Sequence, residues 1–523
     1  MMPDPRHFVL DADPDQEPGD PLAGVRAALS QAFTVTAETP ATAAVTGAAP
    51  TRSLTWLDTF DWRLYGAGLI LEQEHDRRNS RIILSSTSGD PRAEQPATGW
   101  QTRRPTAASD IPPGPVNDII ATLVAPRALI PIAKAVSTRA TLRLINEDGK
   151  TVVRLLADQT STPDGRPAPL RLTIAEVRGY PAQARRAAAI LATVARPAVQ
   201  TTFTAALAAQ HKTPGDYTGK VDAKITAQMP AVTAVATIML ALLDTLEQNV
   251  DGVLRDIDTE FLHDLRVAVR RTRAAIKLLG AVLPGDLAAR YKDEFKWLGD
   301  LTTPVRDLDV HLLGFDDLAG SLQAFTPADL EPFREFLIRR RAQEFRRLAG
   351  GLRSPRFRTL VQDWRKALGE ILGARTRSRK PAAALAAERT ISAVTQLTRR
   401  GTAITAASQP ESLHDLRKRG KEVRYLLEFF APIYDADVYR QVVSDLKKLQ
   451  DCLGDFQDSE VQRLEIAVLA RAMPTHVQTI LAMGEISARL AASQQAARAD
   501  FSARFARFAA PANQRRIREL LAT

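Results

Sequence analysis

His263-Asp264-Leu265-Arg266-Val267-Ala268-Val269-Arg270-Arg271-Thr272-Arg273 returns 151 residues later as His414-Asp415-Leu416-Arg417-Lys418-Arg419-Gly420-Lys421-Glu422-Val423-Arg424. The same offset carries Arg306-Asp307-Leu308-Asp309-Val310 onto Gln457-Asp458-Ser459-Glu460-Val461. Self-similarity at so long a period marks a duplicated subdomain rather than a short solenoid repeat. Both copies read as helices: long straight-chain residues, no internal proline, apolar residues between the charges. On a 3.6-residue period His263, Arg266, Arg270, Arg273 and Lys277 share one face. His414, Arg417, Lys421 and Arg424 repeat the spacing, and Glu428 takes the place of Lys277. Like charges one turn apart repel, so a helix that keeps them in two copies needs an anion to neutralise them. Arginine offers forked donors to phosphate oxygens and lysine adds a point charge. A merely solvated basic face is the weaker reading, because the leading histidine, the spacing and the duplication coincide.

The 523 residues allow two or more domains with real cores. A single cysteine, Cys452, excludes an internal disulfide and a multi-cysteine zinc site, and it fits a reducing compartment. The acidic start, with Asp4, Asp11, Asp13, Asp15 and Glu17, lacks the features of a signal peptide. The longest apolar stretch, Ala231–Leu243, is shorter than a bilayer span. The expectation is a soluble cytoplasmic protein with no membrane partner. Residues 1–250 carry 25 basic and 25 acidic residues and residues 251–523 carry 45 and 35, so the net charge of +10 lies in the duplicated half. Within it, 334–400 holds 18 basic and 5 acidic residues. An anionic partner is expected to meet this half.

Along the chain, a short strand is expected near His7–Leu10 and a helix over Leu22–Phe33. Further strands are expected at Ser53–Asp58, Gly68–Glu74, Arg81–Ser86, Ala140–Asn146, Thr151–Asp158 and Leu170–Glu176, with Gly149 in a tight turn. Residues 88–116 read as a loop. Pro181–Leu207 reads as helix with a break at Pro197, and 210–220 as a linker. From about Val221 the pattern turns to long helices, about four per copy, with Pro304 among the breakers and Ala374–Lys380 as the joint between copies.

The duplicated half resembles the conserved histidine α-helical (CHAD) domain over roughly residues 222–515. His263, Arg266, Arg270, Arg271 and Arg273 carry the resemblance in the first copy, with Leu298-Gly299 and Arg306-Asp307-Leu308-Asp309-Val310. His414, Arg417, Lys418, Lys421, Arg424 and Tyr425 carry it in the second, with Lys447-Lys448-Leu449-Gln450-Asp451-Cys452-Leu453-Gly454-Asp455-Phe456-Gln457-Asp458. The resemblance implies two pseudo-symmetric four-helix bundles around a basic pocket or channel that binds inorganic polyphosphate. The binding set is then His263, Arg266, Arg270, Arg271, Arg273, Lys277, Arg306, His414, Arg417, Lys418, Lys421, Arg424, Lys447 and Lys448. Asp264, Asp307, Asp415 and Asp458 cannot face a polyphosphate without cost, so they are expected to hold the basic side chains or to cap helices. Only Tyr425 and Phe261 lie near the motif helices. Single-stranded nucleic acid prefers aromatic platforms, so bare phosphate is favoured over bases.

Residues 1–209 are similar, more faintly, to the CYTH (triphosphate tunnel) domain, chiefly through Trp56-Leu57-Asp58-Thr59-Phe60-Asp61-Trp62-Arg63-Leu64-Tyr65-Gly66-Ala67-Gly68-Leu69. His7–Asp13 lacks the alternating glutamates and lysine of that family, Leu71–Glu74 lacks its arginines, and Thr173–Glu176 offers only Glu176. Phosphoryl chemistry rests on metal carboxylates and phosphate clamps. The expectation is therefore a degenerate antiparallel barrel or sheet with helices (α+β), followed by an all-α domain over 222–515 with repeats 222–373 and 381–515. The protein is expected to be non-enzymatic, without cofactor or metal, and to bind polyphosphate, which would recruit it to polyphosphate granules. The alternatives are a metal-dependent triphosphatase or polyphosphatase, betrayed by phosphate release with magnesium or manganese, and nucleic-acid or acidic-protein binding through 334–400. No phosphate loop or GxGxxG motif appears, His75 with Glu72, Glu74 and Asp76 reads as a strand edge, and Cys452 reads as a buried inert thiol.

Overall fold

The computed structural model describes residues 6–10, 20–38, 51–76, 79–100, 104–198, 200–219, 223–374, 380–405, 407–473 and 476–522. The chain divides into two units, Met1–Tyr217 and Thr218–Thr523.

The first unit is one antiparallel sheet. Its strands are β1 His7–Leu10, β2 Thr34–Ala37, β3 Thr51–Asp58, β4 Leu69–His75, β5 Ser80–Ser86, β6 Pro91–Pro96, β7 Ile130–Ile145, β8 Thr151–Ser161, β9 Leu170–Glu176 and β10 Arg196–Pro197. They run in the order β10-β1-β9-β8-β7-β3-β4-β5-β6, with β2 also on β7. Alternation decides the faces. Phe8, Leu142, Leu155 and Leu172 join the core under two helices, α1 (Ala23–Leu29) and a second over Pro181–Leu191. Their sequence neighbours His7, Arg139, Asp158 and Arg171 point to the other side.

The expected strands are present, and the differences have local causes. The helix expected to reach Phe33 stops at Leu29, because β-branched Thr34, Val35 and Thr36 pair with β7 instead. The stretch 88–116 is not all loop. It holds β6, whose prolines at both ends suit an edge strand, and the start of a helix at Pro115. The break at Pro197 is wider than one residue: the helix ends at Leu191, β10 pairs with β1, and a new helix, Thr202–Ala209, starts under a Thr201 cap. Residues Asp11 and Asp13, expected near the first strand, lie outside the described residues.

The second unit is all helix, and the duplication is visible element by element. With Arg63–Gly66, Pro115–Val124, Pro181–Leu191 and Thr202–Ala209 as α2 to α5, the first copy has α6 Ala231–Leu254, α7 Thr259–Leu279, α8 Leu287–Leu313, α9 Phe315–Gly320, α10 Glu331–Leu352 and α11 Pro355–Gly373. The second has α12 Ala382–Thr402, α13 Pro410–Phe429, α14 Ala436–Arg471, α15 Val477–Ala509 and α16 Pro511–Leu521. Among the described residues each copy has four long helices and a shorter closing one, cut off by Pro355 or Pro511 at the first helical turn, and the first copy has the short α9 besides. Pro304 does not break α8. Thr302 and Thr303 turn their hydroxyls onto the carbonyls of Leu298 and Gly299, and buried Thr302 and Val305 fix the helix on both sides of the missing donor. Of the expected joint, Arg375, Arg377 and Arg379 lie outside the described residues.

The two copies meet reciprocally. Ala231 N donates to Lys380 O (2.9 Å) and Ala382 N donates to Met229 O (2.8 Å), with Pro230 opposite Pro381. Each of these pairs is related by the same 151-residue step, so a pseudo-twofold axis passes between the two prolines. Helix α6 is long and apolar enough to cross a membrane by length and composition, longer than the run Ala231–Leu243 suggested. Here it is a core helix, with Val235, Ile238, Met239, Leu242 and Leu246 buried.

Close approach shows at Gly401 near the end of α12, where an added Cβ would stand 2.0 Å from a Phe505 ring carbon on α15. Gly401→Ala must displace a buried ring and is expected to destabilise the second unit by about 3 kcal/mol. Chemical denaturation followed by circular dichroism measures this, and an unchanged midpoint would contradict the packing.

Candidate functional site

Helix α7 begins at Asp258, whose carboxylate accepts from Glu260 N (2.9 Å) and Phe261 N (3.2 Å). Phe261, Leu265, Ala268, Thr272, Ile276 and Leu279 form its buried stripe. That leaves His263, Arg266, Arg270, Arg273 and Lys277 on the other side. On α13, Leu413, Leu416, Gly420, Val423 and Leu427 do the same for Arg417, Lys421 and Arg424. The two helices pack against each other. Arg271 and Glu428 (2.8 Å) and Lys277 and Glu422 (2.7 Å) tie them together.

Three cavities line this seam. The first, about 510 Å³, holds His263, Arg266, Arg270 and Arg306 of one copy and His414 and Arg417 of the other. The second, about 710 Å³, holds Arg270, Arg273, Lys277, Lys418 and Lys421 with an apolar wall. The third, about 330 Å³, holds Arg270, Arg271, Arg417, Lys421 and Arg424. Arg270 lines all three, Arg417 the first and third, and Lys421 the second and third. The cationic surface is therefore continuous along the seam. Lys447 and Lys448 line none of the three. Lys447 is exposed one turn before Gln450 and Asp451, where α14 enters the third cavity, and Lys448 pairs with Asp445 (3.3 Å).

Carboxylates from the following long helix position the arginines, again in register. Asp307 lies 3.7 Å from Arg266, and Asp458 lies 2.8 Å from Arg417. Arg266 also donates to the Thr303 hydroxyl. The histidines differ between copies. His414 Nδ1 meets the Gln457 side chain, whereas the residue equivalent to Gln457 is Arg306. Burial and the Arg306 guanidinium hold the His263 imidazole below its ordinary pKa, so it is neutral near pH 7. Burial, then Arg417 and Arg270, holds the Lys421 ammonium down to about 8. Of the two nearby aromatics, Phe261 is 2% exposed and Tyr425 8%, and of the two Tyr425 contributes to the walls of the second and third cavities.

Two lysines escaped the sequence reading. Lys292 and Lys296 of α8 line the second cavity. Their i, i+4 spacing was the available signal, but they lie outside the repeated motif. Conversely, much of the basic 334–400 stretch is engaged. Arg341 binds Asp256 and Asp309, Arg347 Glu344, Arg356 Glu294, Arg365 Asp244 and Glu247, and Lys380 Glu388.

In the first unit, a cavity of about 490 Å³ opens on the polar side of the sheet, lined by Arg52, Glu72, Arg139, Asp158 and Arg171. The sequence reading looked for arginines on β4, but they arrive from β3, β7 and β9. Most are spent on neighbouring acids: Arg52 binds Glu74 (2.8 Å) and Asp158 (2.6 Å), and Arg139 binds Asp158 (2.8 Å). Burial and Glu74 push the Glu72 carboxyl up to about 7. Cys452 is buried, its thiol donates to Ala497 O (3.2 Å), and burial pushes it up to about 11.

The family model of the CHAD domain matches residues 237–467, within the helical unit. Among solved structures, the chain is similar to the CHAD domain from the plant Ricinus communis at 26% identity, covering 56% of this chain and 96% of that one, with a TM-score of 0.49. It is similar to PptA from Streptomyces chartreusis at 17% identity, covering 53% and 99%, with a TM-score of 0.42. A putative adenylate cyclase from Bacillus halodurans matches at 13% identity, covering 38% and 94%, with a TM-score of 0.27. No curated protein matches the chain.

Proposed function

We propose that the helical unit binds inorganic polyphosphate along the seam between α7 and α13 without catalysing a reaction, and that this binding brings the protein to polyphosphate granules in the cytoplasm. The observation that carries the reading is the convergence of His263, Arg266, Arg270, Arg306, His414, Arg417 and Lys421 from both copies onto connected cavities. A linear chain with a charge on each phosphate matches a run of forked and point cations. Phe261 is buried, and the largely covered ring of Tyr425 by itself is no platform for successive bases. The enzymatic alternative needs free carboxylates for a metal in the first unit, where Glu74 and Asp158 are already bound by arginines.

Calorimetric titration with long-chain polyphosphate, beside single-stranded DNA of matched charge, tests the reading. Counterion release from a polyanion that meets about six cations predicts a loss of roughly 10³-fold in affinity between 50 and 200 mM salt. Because the bound anion favours charged Lys421, binding takes up protons around pH 8–9. Affinity is then fully present below pH 8 and falls as pH rises through the bound-state pKa. Equal affinity for DNA would reduce the site to a charge reader, and absence of binding would refute it.

A further inference from the structure

Among the described residues, Lys421 shares with Arg270 and Arg273 the lack of a carboxylate partner, and of these three it is the one whose head group is an amine. Arg417, Arg424, Lys277 and Lys418 each face a carboxylate. Lys421 makes no salt bridge or hydrogen bond among the described residues, although it is only partly exposed. Its surroundings are cationic: Arg417 and Arg424 on its own helix and Arg270 from α7. The acids near it come from α14, where Asp458 is held by Arg417 and Asp451 and Asp455 line the third cavity, and from Glu422 on α13, which is held by Lys277 and Arg419. On its other side, the second cavity presents an apolar wall including Ala274, Leu278 and Tyr425. An unpaired amine thus stands between an anion-binding cluster and an apolar surface.

We propose that Lys421 is a covalent modification site, acylated by small acyl phosphates whose phosphate docks on Arg270, Arg417 and Arg424 and whose acyl group rests on the apolar wall. The neutral Nζ attacks the acyl carbonyl carbon. The N–C bond forms, the C–O bond to phosphate breaks, and the electron pair leaves with inorganic phosphate. The proton lost from nitrogen goes to that phosphate or to water. The product is a neutral amide, and no oxidant or reductant is consumed. With its ammonium at about 8, roughly a quarter of Lys421 is free amine at pH 7.5, against about one part in 10³ for an ordinary lysine. Lower basicity costs about tenfold in nucleophilicity, by analogy with the Brønsted slope for thiolates, leaving a net advantage of roughly 20-fold. Resting on the polyphosphate reading, the amide removes one positive charge from the seam and weakens polyphosphate binding.

The test is to incubate the full chain with acetyl phosphate and follow each lysine by peptide mass spectrometry, with and without tripolyphosphate. Lys421 is expected to acetylate at least about tenfold faster than exposed Lys366 and Lys447. Its rate is expected to level off above about pH 8, and tripolyphosphate is expected to slow Lys421 while leaving exposed Lys366 unchanged. In Lys421→Arg, treated and untreated protein are expected to bind polyphosphate equally. Acetylation of Lys421 no faster than of Lys366 overturns the proposal, whether or not polyphosphate binds. Selective acetylation without polyphosphate binding or protection defeats the functional reading and leaves the modification site standing.

Discussion

Replacing Arg266 and Arg417 together with alanine is expected to lower polyphosphate affinity by about 10²–10⁴-fold while leaving the protein folded. Each guanidinium contributes charge-assisted hydrogen bonds worth roughly 1.5–3 kcal/mol to a bound anion. Their loss also bares Asp307 and Asp458, which then face the ligand unneutralised. The fold has little at stake, because both carboxylates are substantially exposed (43% and 63%) and such pairs contribute about 0–1 kcal/mol. Titration at fixed salt reads the affinity, and thermal unfolding reads the integrity. A folded double variant with unchanged affinity removes the seam as the binding site. The converse substitution, Asp458→Asn, releases Arg417 from its carboxylate and is expected to raise affinity by a few fold.

The largest stability effect is expected at Arg341→Ala, at about 3–5 kcal/mol. Arg341 of α10 reaches Asp309 through Nε (2.6 Å) and clasps Asp256 with its other two nitrogens (2.9 and 2.7 Å). The Asp309 side chain is 1% exposed. Burial lifts its carboxyl above the usual range even with the guanidinium beside it. Without Arg341 the folded-state pKa rises further above the unfolded value, so the folded state binds the extra proton as pH falls. The variant is therefore expected to recover part of its lost stability between neutral pH and pH 4. Denaturant midpoints at pH 7 and pH 5 measure both, and a loss that is pH-independent would contradict the role given to Asp309.

The helical architecture was legible because its signals were doubled: the face at His263 and Arg266 recurred at His414 and Arg417, so chance periodicity was an unlikely source. The carboxylate partners were legible for the same reason, Asp307 and Asp458 each falling one helix later. What the sequence concealed was pairing across the seam. Nothing local distinguishes Arg271, tied to Glu428, from Arg270, which lines all three cavities. Lys447 and Lys448 read as part of the motif but lie one turn too early on α14. In the sheet, β7 was half missed because Pro131 and Lys134 interrupt the apolar pattern of its first half. The arginines of the first unit were overlooked because Arg52, Arg139 and Arg171 lie on strands far apart in sequence.

The reciprocal hydrogen bonds beside Pro230 and Pro381 place the two copies head to head about one axis. A polymer with distinct ends, such as a nucleic acid strand, meets the two halves of such a site differently and has one preferred orientation. A linear polyphosphate reads alike in either direction. Turned end for end, it presents the same oxygens to Arg266 that it presented to Arg417. For the ligand proposed, the duplication thus supplies two arginine stations, Arg266 and Arg417, that a chain can meet in either direction, while Arg306 in the place of Gln457 and Lys277 in the place of Glu428 keep the two halves of the receptor chemically distinct.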